Sequence, residues 1–117
     1  MIEQLENAEG YKWIIEHNMV GFEPFTQFQP WYLLPQNDCF WANDKWHNKS
    51  LLNLLVFARR QDNDEFACFN IVNDTITNIY IIHGWTDNGY DIVNSCLDIW
   101  DWLHSALNDI KELVEMQ

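Results

Sequence analysis

Asp62-Asn63-Asp64 is the stretch whose residue types come closest to a metal site. Alternating carboxylate and amide oxygens open a calcium loop, which also needs glycine at its sixth position and glutamate at its twelfth. Ala67 and Asn73 stand at those places, and the segment runs directly into apolar residues. The stretch therefore reads as an exposed acidic turn. Four histidines and three cysteines, Cys39, Cys68 and Cys96, offer zinc ligands, but no pair has C-x2-C or H-x3-H spacing. Cys96 and His104 are eight residues apart and fall on different flanks of one helix. Asp98 and Asp101 form a carboxylate pair suited in type to acid–base work. Helical spacing places both on a polar face, away from any cleft. His83 sits in an apolar run and reads as a hydrogen-bonded histidine of the core or its rim. The four glycines are scattered, with no phosphate-cradling loop and no G-x-S-x-G. No residue is nominated as catalytic, no metal or cofactor is expected, and the chain does not read as an enzyme.

What remains is a surface. The chain has a net charge of -12, and from Gln61 onward eleven Asp and Glu face a single basic residue, Lys111. Such a field repels nucleic acid and anionic membranes and attracts basic partners. Seven tryptophans in 117 residues exceed what one core needs. Trp31, Trp41, Trp46, Trp85 and Trp102 cannot all be deeply buried, and Trp85, beside Asp87, is the preferred exposed anchor. An odd number of cysteines, each among apolar neighbours, suggests free buried thiols in a reducing cytoplasm. The first ten residues lack the basic and apolar regions of a signal peptide, and no apolar run reaches the length of a membrane span.

Three apolar runs, Leu51–Ala58, Phe66–Val72 and Ile76–Trp85, must position these residues. They are short and rich in Val, Ile, Phe and Tyr, and Asn/Asp-containing connections separate them, which predicts an antiparallel meander as the central sheet. In the third run, alternation puts Ile79, Ile81, His83 and Trp85 on one face and Tyr80 and Ile82 on the other. Both faces are apolar, so the sheet is covered twice. Thr86-Asp87-Asn88-Gly89 reads as a turn. Trp31–Leu34 and Cys39–Ala42 read as short edge strands, and Asn43–Ser50 as a polar loop carrying Lys45, His47 and Lys49. Ile2 to His17 reads as a helix, with Ala8, Tyr11 and Ile15 on one face. The prolines between Gly21 and Asn37 argue against regular helix there.

The last segment gives the clearest periodic signal. Ser95 reads as the N-cap, with Asp98 three residues on. From there the apolar half runs through Ile99, Trp100, Trp102, Leu103, Ala106 and Leu107 to Val114, opposite a polar half that includes Asp98, Asp101 and Asp109. This predicts an amphipathic helix of about six turns lying on the sheet. The class is α+β: a single domain over residues 1–117, its meander packed by an N-terminal helix and a long C-terminal one. Successive meander connections alternate ends, so the turn holding Asp62, Asp64 and Glu65 and the segment holding Trp85 and Asp87 should share one end. These five residues form the candidate partner-binding site.

Val56-Phe57-Ala58, Asp62 to Asp64 and Phe66-Ala67-Cys68-Phe69 together resemble the core signature of the SUKH superfamily, the Smi/Knr-type proteins. Asn78 to His83 is similar to that family's next strand, and Ser95 to Leu103, with its acidic-Trp-Leu cluster, to its closing helix. The resemblance covers roughly Leu51 to Leu107; the Asn-Gly-Gly-like turn of many members is missing. It implies an α+β domain with an antiparallel sheet and flanking helices. It also implies an immunity protein that binds and neutralises a cognate bacterial toxin, often a nuclease. The alternative it allows is a regulatory protein-interaction module without a toxin partner. No toxin-contact residue transfers by motif, so the five site residues rest on charge and exposure.

Overall fold

The computed structural model describes residues 11, 13, 16 and 30–115, with 110, 113 and 114 as backbone only. The remainder of the helix expected over residues 2–17 and residues 21–29 of the proline-bearing segment lie outside the described residues. Tyr11, Trp13 and Glu16 are helical.

Six strands form one antiparallel sheet. β1 (Trp31–Leu33) and β2 (Phe40–Trp41) lie one after the other along the outer side of β3 (Leu54–Arg60). β4 (Glu65–Val72), β5 (Thr75–Thr86) and β6 (Gly89–Cys96) follow as hairpins, giving the order β1-β3-β4-β5-β6. Between β2 and β3 lies one helical turn, α1 (Ala42–Lys45), and α2 (Ile99–Glu115) closes the described chain. The architecture is α+β.

Local chemistry explains the turns. Asn73 and Asp74 both adopt left-handed backbone, φ 51 and 62, as a two-residue hairpin between Val72 and Thr75 requires. At the β3–β4 turn, the Asn63 side chain accepts the Glu65 N–H at 2.9 Å and fixes the return of the chain. Gly89 closes the β5–β6 turn at φ 88, where an added Cβ would lie 2.6 Å from the His47 carbonyl.

Both faces of the sheet are covered. On one, Leu55, Phe57, Phe69, Ile79 and Ile81 pack with Tyr11 and with Ile99, Trp102, Leu103 and Ala106 of α2. Phe57 and Phe69 stack at 4.2 Å, and Trp102 meets Phe57 edge-on at 5.2 Å. Trp31 donates its indole N–H to Asp109 at 2.8 Å, tying β1 to α2. On the other face, Val56, Phe66, Cys68, Ile82 and Tyr90 are covered by Leu34, Ala42 and Trp46.

Several expectations are corrected. The segment from Gly89 is a strand through Cys96, so Ser95 lies in a strand and does not cap the helix. Its pairing with β5 takes up Ser95, which faces Tyr80. The helix start moves to Asp98, whose side chain accepts the Asp101 N–H at 2.8 Å while Asp101 accepts the Leu97 N–H at 2.8 Å. This is a capping box in a variant form, built from two aspartates. The helix is accordingly shorter, 17 residues. Its inward stripe is also narrower: Trp102 and Ala106 are buried, but Trp100 and Leu107 are about half exposed. At the other end of the chain segment, Ala42 begins α1 rather than ending a strand, and α1 occupies part of the loop expected from Asn43 to Ser50.

Candidate functional site

The β3–β4 turn and the end of β5 share one end of the sheet because of strand register. Glu65 pairs with His83, and the Gly84 N–H donates to the Asp64 carbonyl at 2.9 Å, carrying the ladder one residue past β4. Asp64 thus lies beside the backbone that leads into Trp85. The grouping expected from meander topology places Asp64, Glu65 and Trp85 together.

Trp85 does not lie on the face that simple alternation assigns to it. The β5–β6 register shifts between Gly84 and Thr86, leaving Trp85 as the extra residue of a bulge at φ 62. A left-handed backbone is an outlier for a bulky side chain. The bulge turns the indole toward Trp46, on the side opposite Ile79 and Ile81, where the two rings meet edge-on at 5.5 Å. Gly84 permits this: a Cβ there would stand 2.7 Å from the Trp46 ring. Trp85 remains 60% exposed, a large aromatic ring fixed from beneath and open above. Two buried polar atoms with no hydrogen-bond partner among the described residues, Trp46 Nε1 and Thr86 Oγ1, belong to the residues around it.

The sequence reading missed Lys45. From α1 its ammonium lies 5.0 Å from the Phe40 ring, 5.3 Å from Trp85 and 5.6 Å from Trp46. These are cation–π distances, and they make the indole of Trp85 one wall of a three-ring cage around a cation. Arg59 stacks similarly over Phe66 at 5.7 Å. The end of the sheet therefore carries carboxylates outside and cations on its aromatic layer. No periodicity marks Lys45; the only signal was its place next to Trp46 in an otherwise polar stretch.

Asp62 and Asp87 are set apart from this core. Arg60 holds Asp62 in a two-pronged ion pair, both bonds 2.8 Å, and also approaches Asp109 at 3.7 Å. The hydrogen bond from Arg60 keeps the Asp62 carboxyl below the usual aspartate range. Its charge is half spent within the chain, turned toward β1 and α2. Asp87 lies past Trp85 in the β5–β6 turn. There it shares an open cleft of about 470 Å³ with His47, Lys49 and Asp91. Asn48 braces that cleft by donating to the carbonyls of Asn88 and Tyr90, each at 2.8 Å.

The remaining chemistry is quiet. All three cysteines are free thiols. Burial raises Cys68 well above the ordinary thiol range, and burial followed by nearby Asp101, Asp109 and Asp98 pushes Cys96 up to about 11. Both are held as the unreactive thiol. Asp98 and Asp101 are consumed in the helix cap. Among the described residues no three His, Cys, Asp or Glu converge as metal ligands, and no helix is long and apolar enough to cross a membrane. Compared with protein families, curated proteins and solved structures, the chain matches none.

Proposed function

We propose that this chain is a SUKH-type immunity protein that binds and neutralises a cognate bacterial toxin domain, a nuclease, in the cytoplasm. The binding end is formed by Asp64, Glu65 and Trp85, with Asp62 and Asp87 as outer contributors. The observation that carries the reading is Trp85: a 60% exposed indole held at a strained positive φ beside an acidic turn. Strain of this kind persists where the surroundings fix it, and it concentrates at functional positions. A pre-set ring loses little entropy on binding and suits a hot-spot role.

The charge completes the reading. Nucleases carry basic surfaces where they hold phosphate, and a chain of net charge -12 competes for such a surface. Asp64, Glu65 and Asp87 steer the encounter, and Trp85 slows departure once its ring is covered. Lys45 keeps the ring oriented in the free protein. The meander closed by a helix agrees with the family that the sequence resembles.

The test begins with the gene immediately upstream. Its C-terminal domain, produced alone, should be toxic, and an equimolar amount of this chain should silence it. An upstream product without toxicity, or toxicity that this chain leaves unchanged, overturns the reading and favours an interaction module without a toxin partner.

A further inference from the structure

The two edges of the sheet are built differently. Along β3 the outer strands are three and two residues long, and β1 is fully buried. The other edge is β6, eight residues, which among the described residues pairs only with β5. Asn48 occupies the carbonyl of Tyr90 at the start of this strand. Beyond it, Asp91 to Ser95 are all exposed, including Ile92 at 45% and Val93 at 53%. Proteins usually guard a long edge with lysine, proline or a covering element. β6 reads Gly-Tyr-Asp-Ile-Val-Asn-Ser-Cys and contains neither residue; its pairing with β5 shifts register twice, opposite Ile81 and Ile82, where Val93 is the extra residue, and between Gly84 and Thr86. Leu97, which follows the strand, is 80% exposed.

Charge decides what can pair with this edge. From Gly84 to Trp102 the chain carries Asp87, Asp91, Asp98 and Asp101 and no Lys or Arg. A second copy would bring these carboxylates against their own kind, between chains that each carry -12. An extended segment bearing Lys or Arg alternating with apolar residues meets the edge with opposite charge and covers Ile92 and Val93. We infer that β6 is a strand-docking edge for an extended basic segment of a protein partner, added to the sheet as a further strand. The inference rests on the proposed function only for the partner's identity; the edge itself is tested without a toxin.

The probe is a terminally blocked octapeptide of alternating Lys and Val, added at about 1 mM to the full chain, where weak strand pairing is populated. Amide hydrogen exchange read by NMR should slow by at least about tenfold at those amides of residues 91–95 that face away from β5, since exchange tracks local opening. The same peptide with alternate backbone amides N-methylated should lose binding at least about tenfold, and so should a peptide with Glu in place of Lys. Val93→Lys should weaken the parent peptide similarly, whereas Trp85→Ala, at the proposed toxin site, should leave it unchanged. The N-methylated control keeps the test valid if Val93→Lys does not fold. Protection elsewhere or nowhere overturns the inference, as does equal binding of the N-methylated or Glu peptide. Protection that grows with protein concentration alone also overturns it and makes a second copy the occupant. Failure here leaves toxin neutralisation standing, and failure of neutralisation leaves the edge standing.

Discussion

Trp85 offers a substitution pair in which backbone and side-chain effects separate. At φ 62 a residue with a Cβ is strained by roughly 1–2 kcal/mol relative to glycine. The ring returns part of that. Its edge contact with Trp46 at 5.5 Å is worth about 0.5–1.5 kcal/mol. Lys45 at 5.3 Å adds about 0.5–1 kcal/mol for an exposed cation–π pair. Trp85→Ala loses these contacts and keeps the strain, so it should destabilise by about 1–2.5 kcal/mol. Trp85→Gly loses the same contacts and releases the strain. It should therefore be more stable than the alanine variant by about 1 kcal/mol, close to wild type. Urea unfolding with matched m-values measures the difference directly. An alanine variant as stable as the glycine variant would mean that residue 85 carries no left-handed strain, and the case for a pre-set anchor would fall with it.

Three further outcomes follow from the geometry. Leu103→Ala, in the core, should cost about 2–5 kcal/mol, and Leu107→Ala, 55% exposed, under about 1 kcal/mol, as read by urea melts. Asp98→Ala should cost about 1 kcal/mol through loss of the helix cap, whereas Ser95→Ala, exposed in β6, should stay within about 0.5 kcal/mol; thermal midpoints distinguish them. The Asp62 carboxyl should titrate by NMR below the ordinary value of about 3.9, and Arg60→Ala should return it there. Because the folded value is depressed, the pair's stabilisation is present above about pH 4 and is lost as pH falls through the folded value. Asp62 is a surface carboxylate, so solvent screening holds the effect below about 1 kcal/mol.

The meander was legible because its runs are short, β-branched and broken by Asn and Asp. The order of those runs also placed Asp64 and Glu65 near Trp85, since hairpins alternate ends. β6 was missed because its core-facing residues are few: Tyr90 and Cys96 are buried and the five between are exposed. An edge strand with little to bury leaves little hydrophobic pattern. Ser95 looked like a cap by type, but Asp98 can cap equally well, and strand pairing claimed Ser95 first. Alternation along β5 failed at Trp85 because one bulge residue reverses every face assignment after it. Lys45 was illegible for a simpler reason: Trp85, distant in sequence, joins the nearby Phe40 and Trp46 around it only in the fold.

The central claim is that the acidic and aromatic end of the sheet captures a basic partner. Its most direct test is stopped-flow association with the proposed toxin partner at low and high salt. Wild type should associate fast at low salt and slow steeply as salt rises. Asp64→Lys combined with Asp87→Lys should slow association and flatten that dependence. Asp62→Lys should do less, because Arg60 already holds that carboxylate. Trp85→Ala should leave association nearly unchanged and speed dissociation by about thirtyfold, the rate equivalent of a 2 kcal/mol hot spot. Association that ignores salt and the charge reversals, with dissociation indifferent to Trp85, would contradict the account and place the binding surface elsewhere.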